Sequence, residues 1–147
     1  MKNTNQWLQE YGESHQNINN IYVHKICVPL IFWSVWALLY SWKIGPVRAV
    51  YPVSFMALLF YLRLGIKPGM LMLVQISFFI CLTYWIDSTP AHLVELSPAI
   101  FIIGWIGQFI GHKIEGKKPS FFQDLQFLLI GPLWVFKSFL DDPKSNK

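Results

Sequence analysis

Charged side chains are scarce in this chain of 147 residues. They make up 14% of it, while hydrophobic residues make up 54%, and an average soluble protein has about 25% charged residues. The long uncharged runs argue against a soluble bundle with a very apolar core, which is the main alternative. Nucleic-acid binding is not expected either, because the basic residues are dispersed rather than clustered. The composition therefore predicts a membrane protein.

Several common site motifs are also absent. The sequence contains no CxxC pair, no HExxH zinc motif and no nucleotide-binding fingerprint. Its two cysteines, Cys27 and Cys81, lie in separate apolar stretches, so we interpret both as small buried hydrophobic side chains. The four histidines are then the main candidates for binding a metal.

Four apolar segments, residues 26–42, 49–62, 68–86 and 96–111, dominate the chain. A membrane-spanning helix needs about 20 apolar residues, and the long stems of Arg63 and Lys113 can extend the two shorter segments to the headgroups. Strands are not favoured, since period-two alternation is absent and open strands leave backbone groups unsatisfied in lipid. A fifth apolar stretch, 125–136, is short and interrupted by Gly131 and Pro132. We predict an all-α integral membrane bundle of about four transmembrane helices, followed by an interfacial or re-entrant helical segment. Residues 1–140 would form a single membrane-embedded domain, and 141–147 a disordered tail.

The basic residues predict the orientation of this bundle. With four spans, only Lys43 and Arg48 fall on one side of the membrane, and the other ten of the 12 basic residues fall on the opposite side. Those ten are Lys2, Lys25, Arg63, Lys67, Lys113, Lys117, Lys118, Lys137, Lys144 and Lys147. By the positive-inside rule, that side and both termini are cytoplasmic. Aromatic residues expected in the far interface are Tyr40, Trp42, Tyr51, Tyr84 and Trp85.

This topology predicts on which side of the membrane each histidine lies. His15, His24 and His112 fall on the cytoplasmic side, and His92 falls on the other. One metal ion cannot bind groups separated by about 30 Å of hydrocarbon. Three histidines can therefore converge, and His92 is excluded from their site.

The stretch "HQNINNIYVHKICVP" holds the first two of these histidines. His15 and His24 are nine positions apart, so on one continuous helix they would be half a turn out of phase. A bend within residues 16–20 would let both face one site. Asn20, four positions before His24, would lie on the same face of the helix. The alternative is that these polar residues contact headgroups and cap a helix.

The stretch "GWIGQFIGHKIEG" holds the third of these histidines, His112. Gln108, His112 and Glu115 form one stripe along a helix. A helix terminus in the headgroup layer is the alternative, but Gln108 lies a turn inside the apolar segment, where a polar side chain needs a partner in protein or water. Imidazoles suit Zn, Cu, Fe and Ni. Glu115 would either bind the metal or orient a ligand's second nitrogen.

At these residues the sequence resembles a known family. "HQNINNIYVHKICVPL", with "GWIGQFIGHKIEGKKPSFFQDLQFLLIGPLWVF" further along, is similar to the membrane-embedded 2-hydroxy fatty acid dioxygenases, whose fungal members act in phytosphingosine degradation. The resemblance implies an Fe²⁺-dependent α-oxidation in which a 2-hydroxy fatty acid and O₂ yield carbon dioxide and a fatty acid one carbon shorter. It also implies metal ligands and accompanying polar residues. The implied ligands are His15, His24 and His112, and the implied polar, catalytic positions are Asn20, Gln108 and Glu115. Zn²⁺ would compete for the same ligands in a preparation.

The residues are compatible with that chemistry. Lys113 and Lys117 would attract the substrate carboxylate to the site, although ordinary positive-inside lysines would look the same. The bacterial inner membrane is the expected location, or the endoplasmic reticulum in a eukaryote. The oligomeric state is not determined. Alternative functions are another metal-dependent lipid enzyme, such as a hydroxylase, desaturase or hydrolase, and a non-enzymatic membrane scaffold.

Overall fold

The structure is a computed structural model that describes residues 4–13, 15–89, 92–116 and 127–136. Its helices are α1 (Thr4–Glu13), α2 (Ile18–Ser41), α3 (Val50–Leu64), α4 (Ile66–Asp87), α5 (Leu93–Glu115) and α6 (Ile130–Val135). Two short strands, β1 (Lys43–Ile44) and β2 (Val47–Arg48), form an antiparallel hairpin between α2 and α3. Within the described residues, the expectation of an all-helical fold is confirmed apart from this hairpin. The predicted tail, 141–147, and Lys117 lie outside the described residues.

Three helices, α2, α4 and α5, are long and apolar enough to cross a membrane. The fourth apolar helix, α3, has 15 residues and is therefore about 22 Å long, shorter than the hydrocarbon core of about 30 Å. Both α2 and α5 extend beyond the apolar segments that predicted them, because their polar ends are helical too. These polar ends carry the candidate site residues.

Helices α2 and α5 pack closely and antiparallel. Three glycines of α5 face successively earlier residues of α2: Gly104 faces Ile31, Gly107 faces Cys27 and Gly111 faces Asn20. A Cβ at Gly104 would lie 2.5 Å from Ile31 Cγ1, and a Cβ at either of the other two would also overlap its α2 neighbour. The absence of side chains at these positions lets the two helices approach closely between Gly104 and Gly111 of α5 and between Asn20 and Ile31 of α2.

A tight connection places α3 against α4. Gly65, the single residue between them, has a φ of 146°, a backbone conformation that favours glycine. Inside the bundle two tryptophan indoles donate hydrogen bonds to hydroxyls. Trp33 Nε1 donates to Thr83 Oγ1 at 3.1 Å, and Trp36 Nε1 donates to Ser54 Oγ at 2.8 Å. These bonds satisfy polar groups in an apolar interior and fix how α2 sits against α3 and α4.

The hairpin end of the bundle is built around Arg48. Its guanidinium donates to the Tyr40 carbonyl at 2.8 Å, lies 4.0 Å from the centre of the Tyr40 ring and is 3.5 Å from Asp87 Oδ2. Tyr40 is consequently buried against protein, and it lies in the last turn of α2, at the end of the helix where the aromatic belt was expected. The other four aromatic residues of the predicted belt, Trp42, Tyr51, Tyr84 and Trp85, are exposed.

Two expectations are corrected. Neither cysteine is buried: Cys27 is half-buried and Cys81 is exposed on α4. Gly131 and Pro132 do not interrupt a helix but lie in the first turn of α6, where proline's missing N–H has no helical partner to lose. Most of α6 is buried, and it packs against α1 and α2.

Candidate metal centre

Three histidines from three parts of the chain meet at one end of the bundle. His15 follows α1, His24 lies in the second turn of α2, and His112 lies in the last turn of α5. All three are buried, and their potential ligand atoms lie within 4.8 Å of one another. The ring centroids are 4.2 Å apart for His15 and His24, 5.1 Å for His24 and His112, and 5.8 Å for His15 and His112.

A break between α1 and α2 makes this convergence possible. Helix α1 ends at Glu13 and α2 begins at Ile18, and His15, Gln16 and Asn17 are not helical. The side chain of Asn17 caps α2 by accepting a hydrogen bond from the Asn19 N–H at 2.9 Å. The bend expected from the nine-residue spacing of the two histidines is therefore confirmed.

Backbone carbonyls orient two of the imidazoles. His15 Nδ1 is 2.6 Å from the Tyr11 carbonyl oxygen, and His24 Nδ1 is 3.1 Å from the Asn20 carbonyl oxygen. A carbonyl only accepts, so Nδ1–H is the donor in both rings, and Nε2 of each neutral ring carries the lone pair. Metal-bound histidines usually donate their other N–H in this way.

The spacing and chemistry of the group fit a transition metal. Three nitrogens bound to one ion at about 2.1 Å lie about 3 to 3.5 Å apart. The observed spread of up to 4.8 Å is within reach of small side-chain rotations. Imidazole nitrogens suit Fe, Zn, Cu or Ni and not Ca or Mg. The histidines therefore fit the metal type that the sequence implied.

Glu115 lies beside this group and contacts the start of α2. Its carboxylate accepts hydrogen bonds from the backbone N–H of Gln16 at 2.9 Å and of Asn17 at 3.0 Å. It also accepts one from Asn20 Nδ2 at 2.8 Å. A carboxylate at a helix N-terminus is stabilised by the helix dipole. Through this carboxylate, the end of α5 holds the start of α2 and the loop that carries His15.

Two aromatic residues that sequence reasoning missed surround His15. The Tyr11 ring stacks on the His15 ring with a centroid distance of 4.3 Å and an interplanar angle of 3°. The Trp134 ring, from α6, lies 5.2 Å from the His15 ring. The four-residue spacing of Tyr11 and His15 could have indicated their contact. No local signal could have indicated Trp134, which is more than a hundred positions away.

A small cavity lies close to the histidines. Its lining includes Tyr11, which stacks on His15. It also includes Val28 and Gln108, which lie one helical turn from His24 and His112, toward the apolar middle of α2 and α5. The cavity has a volume of about 10 Å³, close to what one water molecule requires. The buried Gln108 side chain provides a polar lining there, as expected for an inward-facing glutamine.

The remaining sequence candidates are placed as follows. Lys113 is exposed at the end of α5, directly after His112. His92 forms the N-cap of α5, and its 20-residue separation from His112 along one helix corresponds to about 30 Å. The structure thus separates His92 from the other three histidines, as the topology predicted.

Comparison with known proteins agrees with the resemblance. The profile of the family described as 2-hydroxy-palmitic acid dioxygenase Mpo1-like matches residues 1–142. The 2-hydroxy-palmitic acid dioxygenase MPO1 of Saccharomyces cerevisiae is 32% identical over 137 residues, covering 88% of this chain and 75% of the yeast protein. No solved structure gives a significant match. The chain therefore belongs to the family described as 2-hydroxy-palmitic acid dioxygenase Mpo1-like.

Proposed function

We propose that this protein is an Fe²⁺-dependent dioxygenase that shortens 2-hydroxy fatty acids by one carbon. The observation that supports this most is the convergence of three buried histidines at the end of an apolar bundle, in a chain similar to a protein named for this activity. The reaction R–CHOH–COOH + O₂ → R–COOH + CO₂ + H₂O is balanced in atoms. The substrate gives up the four electrons that O₂ accepts, so no external reductant is needed.

His15, His24 and His112 would hold the iron. Held by these three histidines, Fe²⁺ would retain room for a 2-hydroxy acid and O₂ and would supply the redox chemistry of the reaction. The three neutral imidazoles bring no negative charge, so the substrate carboxylate would balance the charge of the ion. The Tyr11 and Asn20 carbonyls keep Nδ1 of two ligands protonated and so leave Nε2 available to the ion.

The other polar residues would prepare the site rather than bind iron. Asn20 and Glu115 are bonded to each other and would keep the His15 loop and α2 in register with α5. The Gln108 amide lines the cavity beside the histidines, where it can hydrogen-bond the substrate's hydroxyl or carboxylate. Lys113, with Lys117 beyond it, would raise the local concentration of the carboxylate substrate.

We further propose that α2, α3, α4 and α5 all cross the membrane, with residues 1–140 as one membrane-embedded domain. The histidine end of the described helices carries Lys25, Arg63, Lys67 and Lys113, whereas the hairpin end carries Lys43 and Arg48. By the positive-inside rule, the metal centre would then lie on the cytoplasmic side of a bacterial inner membrane, or of the endoplasmic reticulum in a eukaryote. In this arrangement the substrate head lies at the interface and its tail in the bilayer.

The test is turnover by the purified protein with Fe²⁺, O₂ and 2-hydroxypalmitic acid. We expect the fatty acid one carbon shorter and an equal amount of carbon dioxide. His24→Ala and His112→Ala should lose both bound iron and product, whereas His92→Ala, the matched control on the same helix as His112, should keep both.

Three results would contradict the proposal. Stoichiometric iron without product would exclude this reaction. Two irons per chain would favour a hydroxylase or desaturase. A protein that binds no transition metal after mild purification would favour a scaffold.

A further inference from the structure

The outer face of α5 carries a groove lined only by apolar residues. Phe101, Ile102, Trp105, Ile106 and Phe109 line it, and its volume is about 310 Å³, in the range of small-ligand sites. Three of its aromatic rings form a ladder along the helix. The Trp105 ring lies 6.1 Å from the Phe101 ring and 5.7 Å from the Phe109 ring, centre to centre. On a helix that is long and apolar enough to span a membrane, this groove faces lipid.

Trp105 also lines the small cavity beside the histidines. That cavity is bounded by Trp105 and Gln108 from α5, by Val28 from α2, and by Tyr11, Phe127 and Leu128. Trp105 is only 6% exposed, and it is the residue that lines both the lipid-facing groove and the cavity.

A second apolar groove of about 250 Å³ lies along α4, lined by Leu71, Val74, Gln75, Phe78 and Phe136. None of these residues lines the cavity beside the histidines. Of the two grooves described here, only the one on α5 shares a lining residue, Trp105, with the cavity beside the histidines. This shared residue argues for α5 as the route from the bilayer.

We propose that the acyl chain of the substrate lies in the α5 groove, and that Trp105 is the movable wall through which the substrate reaches the metal centre. This inference rests on the proposed function. His112 is seven positions beyond Trp105, about 10 Å along the helix. A 2-hydroxy acid whose head is at the histidines therefore has its tail directed toward Trp105 and the ladder of aromatic rings. Trp105 would thus set the preference for chain length by contact with the chain, without touching the reacting atoms.

Blocking the groove tests the proposal. In a background of Cys27→Ala and Cys81→Ala, Ile106→Cys places a thiol in the groove and Ile103→Cys places one outside its lining. The two positions have similar exposure, 53% and 64%, on the same helix. Each thiol is then reacted with a bulky alkyl methanethiosulfonate. KM and kcat are measured for 2-hydroxy acids of about 16 and about 8 carbons.

We expect labelling of the Ile106→Cys protein to raise its KM for the long acid at least tenfold over the unlabelled protein. Its KM for the short acid should stay within twofold of the unlabelled value. Labelled Ile103→Cys should behave like the unlabelled protein. Trp105→Ala should change the ratio of kcat/KM for long and short acids by at least tenfold and leave bound iron unchanged, whereas Trp105→Phe should retain most of the preference.

The possible failures are distinguishable. If the unlabelled protein binds iron but converts neither acid, the proposed function fails. If it converts both acids and the Ile106→Cys label affects them equally or not at all, only the α5 route is overturned. If a label at Val74→Cys selectively impairs turnover of the long acid, the acyl chain enters by the α4 groove, and the proposed α5 route is overturned as well.

Discussion

Gly111 is the position at which the backbone of α5 packs directly against two site residues of α2, Asn20 and His24. A Cβ at this position would overlap Asn20 Oδ1 and would lie 3.1 Å from His24 Cε1 and 3.2 Å from His24 Nδ1. Asn20 cannot easily turn away, because it is fully buried and its Nδ2 is bonded to Glu115. Gly111→Ala therefore forces α2 and α5 apart at the level of two site residues.

The effect on folding and the effect on metal binding can be separated. Alanine gains about 0.8 to 1 kcal/mol of helix propensity over glycine, and overpacking costs about 1 to 3 kcal/mol, so the net loss of unfolding free energy is about 0 to 2 kcal/mol. Displacing the Asn20 and His24 contacts should lower metal affinity about 10- to 100-fold, as loss of an outer-shell partner does.

Gly107→Ala is the matched control. Its Cβ would overlap Cys27 Sγ, one turn further from the histidines, so it carries the same propensity gain and a similar packing cost. Metal affinity is measured by competition with a chromophoric chelator, and stability by thermal unfolding in detergent. We expect Gly107→Ala to keep wild-type affinity and to regain stability when combined with Cys27→Ala. Equal metal affinity in the Gly111 and Gly107 variants would refute the reasoning.

Three further predictions follow from other contacts. Glu115→Gln removes the charge and leaves one carbonyl oxygen to accept from the N–H groups of Gln16, Asn17 and Asn20 that the carboxylate binds. The unfolding free energy should fall by about 1 to 3 kcal/mol, and unchanged thermal unfolding would contradict the role of Glu115 in clamping α2 to α5. Trp36→Phe removes the donor to Ser54 Oγ and should lower the unfolding free energy by about 0.5 to 1.5 kcal/mol without changing the metal content. A double-mutant cycle with Ser54→Ala measures the coupling energy of this pair, and a value of zero would count against the hydrogen bond. Chelation should lower the melting temperature, because metal at a 100-fold excess over Kd stabilises the folded state by about 2.7 kcal/mol; Fe²⁺ or Zn²⁺ should restore it. A melting temperature equally sensitive to chelation in His112→Ala would place the metal elsewhere.

Local pattern was sufficient to predict the four apolar helices α2 to α5 and the side of the bundle on which each histidine lies, but not α1 or the hairpin. Uncharged runs too long for a soluble chain indicated the apolar helices. The spacing of His15 and His24 required the break that occurs between Glu13 and Ile18. The helix boundaries were less predictable, because the polar ends of α2 and α5 continue the helices past the end of the apolar pattern, and hydropathy cannot detect this.

The sequence by itself thus determined which residue types reach one end of an apolar bundle, since helical period and charge distribution are local properties. Only the tertiary structure decided what they touch there. The Glu115 clamp joins residues 95 to 99 positions apart, and the approach of α2 to α5 depends on three glycines meeting particular side chains. The placement of Trp134 beside His15 and of Trp105 between groove and cavity depends likewise on how whole helices pack. Such contacts follow from the shapes of both partners together, and neither partner's local sequence contains that information.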